Sequence, residues 1–176
     1  LKDQLLQKAL SDFNRYYGRL ENIVEDSIRV CVERPFSFNA GENKITGRID
    51  LMVFRRDGKI ELIDFKSGSR NYHILDEENE MQLRIYRAAA DLCSDFEEIR
   101  RKEFLLKYVF LGDEKKQENE LPEDFYDPDD ILARLDEVIS NIKKESFEPL
   151  PPESYACRDC QMKIMCRNAG TEARDR

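Results

Sequence analysis

Two acidic residues and a lysine in the first half of the chain have the types and spacing of a metal-dependent phosphate site. Asp50 lies before a turn-forming stretch at residues 56–59, and Asp64 and Lys66 lie after it, with apolar alternation on both sides. This pattern predicts a β-hairpin that brings Asp50 near the end of the second strand. Because strand side chains alternate with a period of two, Asp64 and Lys66 share a face. Two carboxylates and an ammonium group there would bind a hard divalent cation and a phosphate.

The first elements that must position these residues follow from hydrophobic periodicity. Apolar residues at three- and four-residue steps predict an amphipathic helix over about the first two dozen residues. They are Leu6, Leu10, Phe13, Tyr17, Leu20 and Val24. Strands are predicted at 28–38, 44–55 and 59–66, and Pro35 marks an edge or an irregularity in the first of them.

The second half predicts a polar loop at 67–79, a helix over about 78–99, a buried strand at 104–111 and an acidic surface loop at 112–126. Asp127, followed by a proline, predicts the start of a last helix. The apolar faces of the two helices are Met81, Ile85, Ala89 and Leu92, and Ile131, Leu135, Val138 and Ile142. The fold class is therefore α/β (α+β), a mixed central sheet flanked by helices in the order αβββαβα.

Four short motifs, taken together and in this order, resemble a known family. They are Val-Glu-Arg-Pro-Phe at 32–36, Gly-Arg-Ile-Asp at 47–50, Asp-Phe-Lys-Ser-Gly at 64–68, and Gln82-x-x-x-Tyr86. The set resembles the RecB-like branch of the PD-(D/E)XK nucleases. Within that branch it is most similar to the nuclease domains at the C-termini of superfamily 1 helicases of the UvrD/Rep and AddAB type.

The resemblance covers roughly residues 27–166 and implies a restriction-endonuclease-like fold with a defined active site. Asp50 and Asp64 would hold Mg²⁺ or Mn²⁺, and the backbone carbonyl of Phe65 is implied as a third ligand. Lys66 would orient the attacking water and stabilise charge beside the scissile phosphate.

Three further residues belong to the candidate site. Gln82 and Tyr86 are one helical turn apart and share a face, which in the family lies beside the active site and contacts DNA or supports the lysine. Tyr86 is alternatively a core aromatic with a wet hydroxyl. Glu33 is either a distal metal ligand or only an acid on an edge strand.

One family residue is missing. RecB-like nucleases usually carry a histidine or an acid in the helix before the first strand. His73, the single histidine here, follows Lys66 in a polar loop and is interpreted as a loop residue. We expect the missing group to lie upstream of Leu1 in a longer protein, and we assign the nuclease core to 1–150 and a cysteine-containing tail to 151–176.

The tail carries Cys157, Cys160 and Cys166 in a Cys-x2-Cys-x5-Cys pattern. Thiolates at this spacing can bind one metal ion, and the pattern resembles part of the iron–sulfur site of AddB-type and CRISPR-associated RecB-like nucleases. A [4Fe–4S] cluster needs four ligands. Cys31 and Cys93 are interpreted as small core residues, so the fourth ligand is also expected upstream. Zinc and free thiols are the alternatives.

Composition limits the possible functions and partners. The net charge of −8 arises within 112–138, where 11 acidic residues face 3 basic ones, and the remainder is balanced at 26 each. Such a domain is not a strong electrostatic DNA clamp, so neighbouring domains would deliver the substrate. No apolar run predicts a membrane span, and five cysteines without an even disulfide framework indicate a reducing, cytoplasmic location.

The leading hypothesis is a divalent-metal-dependent deoxyribonuclease domain that receives single-stranded DNA from an attached helicase, with a possible partner nuclease or helicase subunit, in recombination and double-strand-break repair. The chain has no Walker A motif and so no motor of its own. The alternatives are a non-catalytic module that docks DNA or a partner protein, and a metal-stapled structural domain.

Overall fold

The structure is a computed structural model. It describes residues 2–67, 77–113, 117–121 and 126–146 and the positions 157, 160, 161, 165 and 166, with the backbone alone at 77–80. Compact packing divides the chain into two units, Leu1–Leu135 and Asp136–Arg176. The first unit holds the whole sheet.

Three helices, five strands and a 3₁₀ segment make up the described elements. In chain order they are α1 (Lys2–Glu25), β1 (Ser27–Ala40), β2 (Asn43–Arg55), β3 (Ile60–Lys66), α2 (Glu77–Leu92), the 3₁₀ segment Ser94–Ile99, β4 (Phe104–Phe110), β5 (Glu118–Glu120) and α3 (Pro128–Lys143). The sheet order is β1-β2-β3-β4-β5. Only β3 and β4 run parallel. The mixed sheet flanked by helices confirms the predicted fold class.

The predicted hairpin between β2 and β3 is confirmed, and its turn follows from two residues. Gly58 has φ +91, a backbone conformation that glycine adopts without strain. Asp57 accepts a hydrogen bond from the Lys59 N–H at 3.1 Å, which closes the turn locally. The turn sets the register in which Leu51 pairs with Ile63.

The sheet has β1 at one edge, as Pro35 indicated. Two apolar clusters cover the sheet. The first includes Met52, Leu62, Leu83, Tyr86 and Tyr108, and the second includes Tyr16, Leu51, Val53, Ile63 and Val109.

The predicted packing face of α1 is wrong. Tyr16 is the buried residue of this helix, and Leu20 and Ile23 pack beside it on the second cluster. The other members of the predicted stripe, Leu6, Leu10, Phe13, Tyr17 and Val24, are 47 to 58% exposed. The side of α1 that packs on the sheet is therefore about one residue from the predicted stripe, and Arg19 forms an ion pair with Glu118 in β5.

The predicted continuous helix at 78–99 is wrong after Leu92. Cys93 has extended dihedrals (φ −72, ψ 130), and a 3₁₀ segment follows it. Phe96 and Ile99 in this segment are buried in the first apolar cluster. The buried face of α2 also differs from the prediction, because it includes Leu83 and Tyr86 while Leu92 is 39% exposed.

The predicted acidic loop at 112–126 contains a strand that the sequence analysis missed. β5 pairs antiparallel with β4, and Asn119 within it is buried. Its three residues are too few to show periodicity. The start of α3 is confirmed, since Asp127 accepts the Asp129 N–H at 2.9 Å as an N-cap.

The C-terminal part of α3 is more exposed than predicted. Val138 and Ile142 are 51% and 54% exposed, whereas Ile131 and Leu135 are buried. Among the described residues, no helix is long and apolar enough to cross a membrane.

Adjacent tyrosines test the orientation of α1. Tyr16→Ala removes a side chain that is 1% exposed, so we expect a loss of about 3 kcal/mol or more of unfolding free energy. Tyr17→Ala, on the predicted but exposed face, should change it by less than about 0.5 kcal/mol. Urea denaturation of both variants measures the difference, and equal losses would contradict this orientation.

Candidate active site

The site forms where β2 and β3 separate. Their ladder ends at the pair Leu51–Ile63, whereas β3 stays paired with β4 as far as Lys66. Beyond the last pair, the Phe65 N–H donates instead to Oδ2 of Asp50 at 2.9 Å. The Asp50 carboxylate thus satisfies a backbone donor that the diverging strand leaves unpaired.

The side chains of β2 also change from one face of the sheet to the other at Asp50. Leu51 lies in the second apolar cluster, whereas Ile49 lies in the first. Residues two apart on a regular strand share a face, so the hairpin must twist sharply between them. On β1, the residues on either side of Glu33 pair with Leu51 and Ile49, and Glu33 itself has φ +51. The bend and the separation of the strands together place Asp50 against β3.

Asp64 is a buried carboxylate with one charged partner among the described residues. It is 1% exposed, and its Oδ2 forms an ion pair with Lys66 Nζ at 2.8 Å. Within the described part of the chain, that oxygen accepts no hydrogen bond of regular geometry. Burial raises the pKa of Asp64, the Lys66 ammonium opposes this shift, and the Asp50 carboxylate adds to it.

A second buried acid on the same strand makes a useful comparison. Glu61 is 2% exposed on the α1 side of the sheet, and its Oε1 contacts Arg55 at 2.6 Å and Lys107 at 3.0 Å. This carboxylate is compensated by two cations across three strands, as a structural ion pair requires. Asp64 has a single ammonium partner among the described residues, at an oxygen that accepts no regular hydrogen bond, so its charge is less fully compensated than that of Glu61.

A directional chain of hydrogen bonds connects the lysine to the first acid. Lys66 Nζ donates to Gln82 Oε1 at 2.7 Å, and Gln82 Nε2 donates to the Tyr86 hydroxyl at 3.1 Å. That hydroxyl donates to Oδ1 of Asp50, also at 3.1 Å. One turn of α2 therefore orients both an ammonium group and a carboxylate.

Tyr86 acts as a donor in this chain because its proton is held firmly. Its side chain is 4% exposed, and burial raises the pKa of the hydroxyl, with the nearby carboxylates of Asp50 and Asp64 adding to the shift. The ring is in the first apolar cluster. Both interpretations from the sequence therefore hold at once: it is a core aromatic, and its hydroxyl belongs to the network.

The structure leaves Glu33 outside this network. Its side chain is 59% exposed and lies 3.9 Å from Arg48, at the limit of an ion pair. His73 lies outside the described residues. The structure thus brings together five of the six predicted side chains: Asp50, Asp64, Lys66, Gln82 and Tyr86.

The arrangement fits a hard divalent cation bound mainly through water. No group of three or more His, Cys, Asp or Glu side chains is placed to hold a metal within the described ranges. Mg²⁺ is commonly held by only one or two carboxylates and keeps several waters. Asp50 and Asp64 supply such a pair, and Phe65, whose carbonyl is the expected third ligand, follows Asp64 directly in the sequence.

The cysteines do not form a comparable site. Cys160 and Cys166 are exposed, Cys157 is half-buried, and none of the three is in a disulfide bond. Since no metal-binding group is found among the described positions, the residues give no support to an iron–sulfur cluster. Cys93 is buried in the first cluster and Cys31 packs against that cluster, as expected of small core residues.

The sequence analysis missed the support behind Tyr86. The Phe36 ring lies edge-on to Tyr86 with centroids 6.2 Å apart, and it stacks with Phe38 at 6.1 Å. Phe36 is the last residue of the motif at 32–36, but the sequence analysis assigned it no role. Phe36 and Tyr86 are far apart in the sequence, so no local pattern predicts the contact between their rings.

The raised pKa of Asp64 predicts how stability depends on pH. The pKa of Asp64 is higher in the folded state than the ordinary value of 3.8. Ionisation of this acid therefore lowers the unfolding free energy as the pH rises from 3.8 to the raised pKa. Asp64→Asn should therefore be more stable than the wild type at pH 7 in a chelator, and this advantage should vanish near pH 3. Urea denaturation at both pH values measures it; lower stability of the variant at pH 7 would contradict the assigned burial cost.

Comparisons with known proteins identify the fold and the family of the chain. No curated protein matches the sequence. The fold is similar to the crystal structure of SSO0001, with a TM-score of 0.51, 17% sequence identity, and coverage of 94% of this chain and 78% of that one. At this identity the likeness concerns the fold alone. The family model of the PD-(D/E)XK nuclease superfamily matches residues 2–167, and the chain therefore belongs to the PD-(D/E)XK nuclease superfamily.

Proposed function

We propose that this chain is a metal-dependent nuclease domain that hydrolyses phosphodiester bonds in DNA, with Asp50, Asp64 and Lys66 as its catalytic residues. The observation that carries the proposal is the convergence of three groups at one strand end: the buried Asp64 carboxylate contacts the Lys66 ammonium at 2.8 Å, and Asp50 accepts the N–H of Phe65, the residue between them. Membership of the nuclease superfamily supports the reaction class.

Asp50 and Asp64, with the Phe65 carbonyl, would hold Mg²⁺ or Mn²⁺. A bound divalent cation of this kind lowers the pKa of an attacking water and neutralises charge on the phosphate. The protein contributes the orientation of its ligands, because Asp50 is held by one backbone donor and one hydroxyl donor. A carboxylate held in this way loses little rotational freedom when it binds a cation.

Lys66 would hold an ammonium group beside the reacting phosphate and orient the attacking water. Its side chain is 16% exposed, with Asp64 and Gln82 as described polar partners. An ammonium so placed stabilises negative charge that develops on the phosphoryl oxygens. Gln82 and Tyr86 support the site from α2, because their hydrogen bonds keep the lysine and Asp50 in one fixed relation.

We also propose that the domain works beside a helicase that delivers single-stranded DNA, in recombination and repair. The four motifs at 32–36, 47–50, 64–68 and 82–86 support this context, since together they resemble the helicase-associated branch of the superfamily. The balanced charge outside 112–138 also favours delivery by a neighbour. In this proposal the core spans 1–150 and the tail 151–176.

A second candidate is a non-catalytic module that binds DNA or a partner protein. The observation in its favour is that two carboxylates, and no third metal-binding side chain, converge in the described part of the chain. This candidate gives no reason for the Asp64 carboxylate to remain buried at a cost in stability.

Substituting the lysine decides between the two candidates. Lys66→Ala should lower the cleavage rate of labelled linear single-stranded DNA in Mn²⁺ by about 100-fold or more, since it removes a charge aimed at the transition state. Lys59→Ala is the matched control, because Lys59 lies at the opposite end of the same strand and pairs with Glu103. Closed circular single strands, assayed in parallel, separate endonuclease from exonuclease action.

Two results would contradict the nuclease proposal. One is cleavage by Lys66→Ala at the rate of the wild type and of Lys59→Ala. The other is a folded wild-type chain that binds the labelled DNA but does not cleave it in Mn²⁺ or in Mg²⁺. The non-catalytic module predicts this second result.

A further inference from the structure

Gly47 occupies a position where any side chain would collide with an aromatic ring. It pairs with Phe36 across the β1–β2 ladder. A Cβ built on Gly47 would lie 2.5 Å from Cζ and 2.9 Å from Cε1 of Phe36. Its φ is outside the left-handed region, unlike that of Gly58, so other residues could adopt this backbone. Gly47 is therefore required for space and not for conformation.

The ring that fills this space is part of a packed aromatic group. Phe36 is 6% exposed and lies between the Gly47 backbone, the ring of Phe38 and the edge of Tyr86. Close packing of this kind leaves no room for the ring to move away from a new methyl group without displacing a neighbour. Tyr86 is the neighbour that carries a polar function.

A small displacement of Tyr86 would reach Asp50. The bond from the Tyr86 hydroxyl to Asp50 is 3.1 Å long, near the upper end of ordinary O–H···O distances, so it has little tolerance for further lengthening. The same hydroxyl accepts from Gln82, which in turn holds Lys66. Movement of one ring thus affects both the carboxylate and the ammonium.

We propose that Gly47 and Phe36 are positioning residues for Asp50, which act through the Tyr86 hydroxyl. Gly47 leaves the space that seats the Phe36 ring, and the ring holds the hydroxyl at the distance that orients the carboxylate. This inference deepens the proposed function: its cleavage readout depends on that function, but its metal-binding readout does not.

A double-mutant cycle separates this role from ordinary core packing. The variants are Gly47→Ala, Tyr86→Phe and the double variant, and the readouts are Mn²⁺ affinity by calorimetry and the cleavage rate at saturating Mn²⁺. Each single variant should weaken Mn²⁺ binding by about 10-fold, as expected when a group that orients a metal ligand is lost. The double variant should bind Mn²⁺ as Tyr86→Phe does, because the hydroxyl through which Gly47 acts is already absent.

A second cycle tests the role of the ring. Phe36→Leu should itself weaken Mn²⁺ binding, since the edge contact to Tyr86 is lost. Adding Gly47→Ala to Phe36→Leu should cause no further loss of Mn²⁺ affinity, because the shorter side chain no longer meets the new Cβ. Mn²⁺ affinity that falls equally in both backgrounds would overturn the role of the ring.

A matched core variant controls for lost stability. Ile99→Ala removes a side chain that is 2% exposed and lines a cavity with Phe54 and Ile60, at the opposite end of β3 from Lys66. It should lower the unfolding free energy without changing Mn²⁺ affinity. Equal losses of Mn²⁺ affinity in Ile99→Ala and Gly47→Ala would overturn the proposal, and so would independent, multiplicative effects of Gly47→Ala and Tyr86→Phe.

The two proposals fail in different ways. A wild type that binds Mn²⁺ in a manner abolished by Asp64→Asn, but does not cleave DNA, would overturn the nuclease function while the calorimetric cycles still decide the positioning role. A wild type that binds no Mn²⁺ would overturn both.

Discussion

The active site depends on one carboxylate that replaces a piece of β-ladder. Where β2 leaves β3, the Phe65 N–H would lose its partner, and Asp50 accepts it instead. The second oxygen of the same carboxylate accepts the Tyr86 hydroxyl. Because an unpaired buried donor is costly, the backbone itself holds Asp50 in place. The separation of the two strands therefore also fixes the orientation of the Asp50 carboxylate.

Buried charge is the cost of this arrangement. The sheet contains two buried acids: Glu61, which is compensated by Arg55 and Lys107, and Asp64, whose described cationic partner is Lys66 alone. The first acid stabilises the joining of three strands. The second has a raised pKa from burial and lowers the stability of the fold when ionised. Functional sites commonly keep groups that a purely structural solution would replace.

The sequence analysis succeeded where short-range rules decide the outcome. The hairpin, the shared face of Asp64 and Lys66, and the helical spacing of Gln82 and Tyr86 all follow from local periodicity. It failed on the packing face of α1. The apolar residues of this helix cover two adjacent sides, and their spacing does not say which side will pack on the sheet. It also missed β5, whose three residues are held by pairing with β4 and not by any pattern of their own.

The sequence by itself determined which chemical groups are available and which neighbours along the chain share a face, because a strand repeats every two residues and a helix every 3.6. Only the tertiary structure decided that Asp50 bonds to β3, that Tyr86 bonds to Asp50 and that Phe36 supports Tyr86. These contacts join residues 15 to 50 positions apart. They depend on the bend at Glu33 and on close packing around Gly47, which no local pattern encodes.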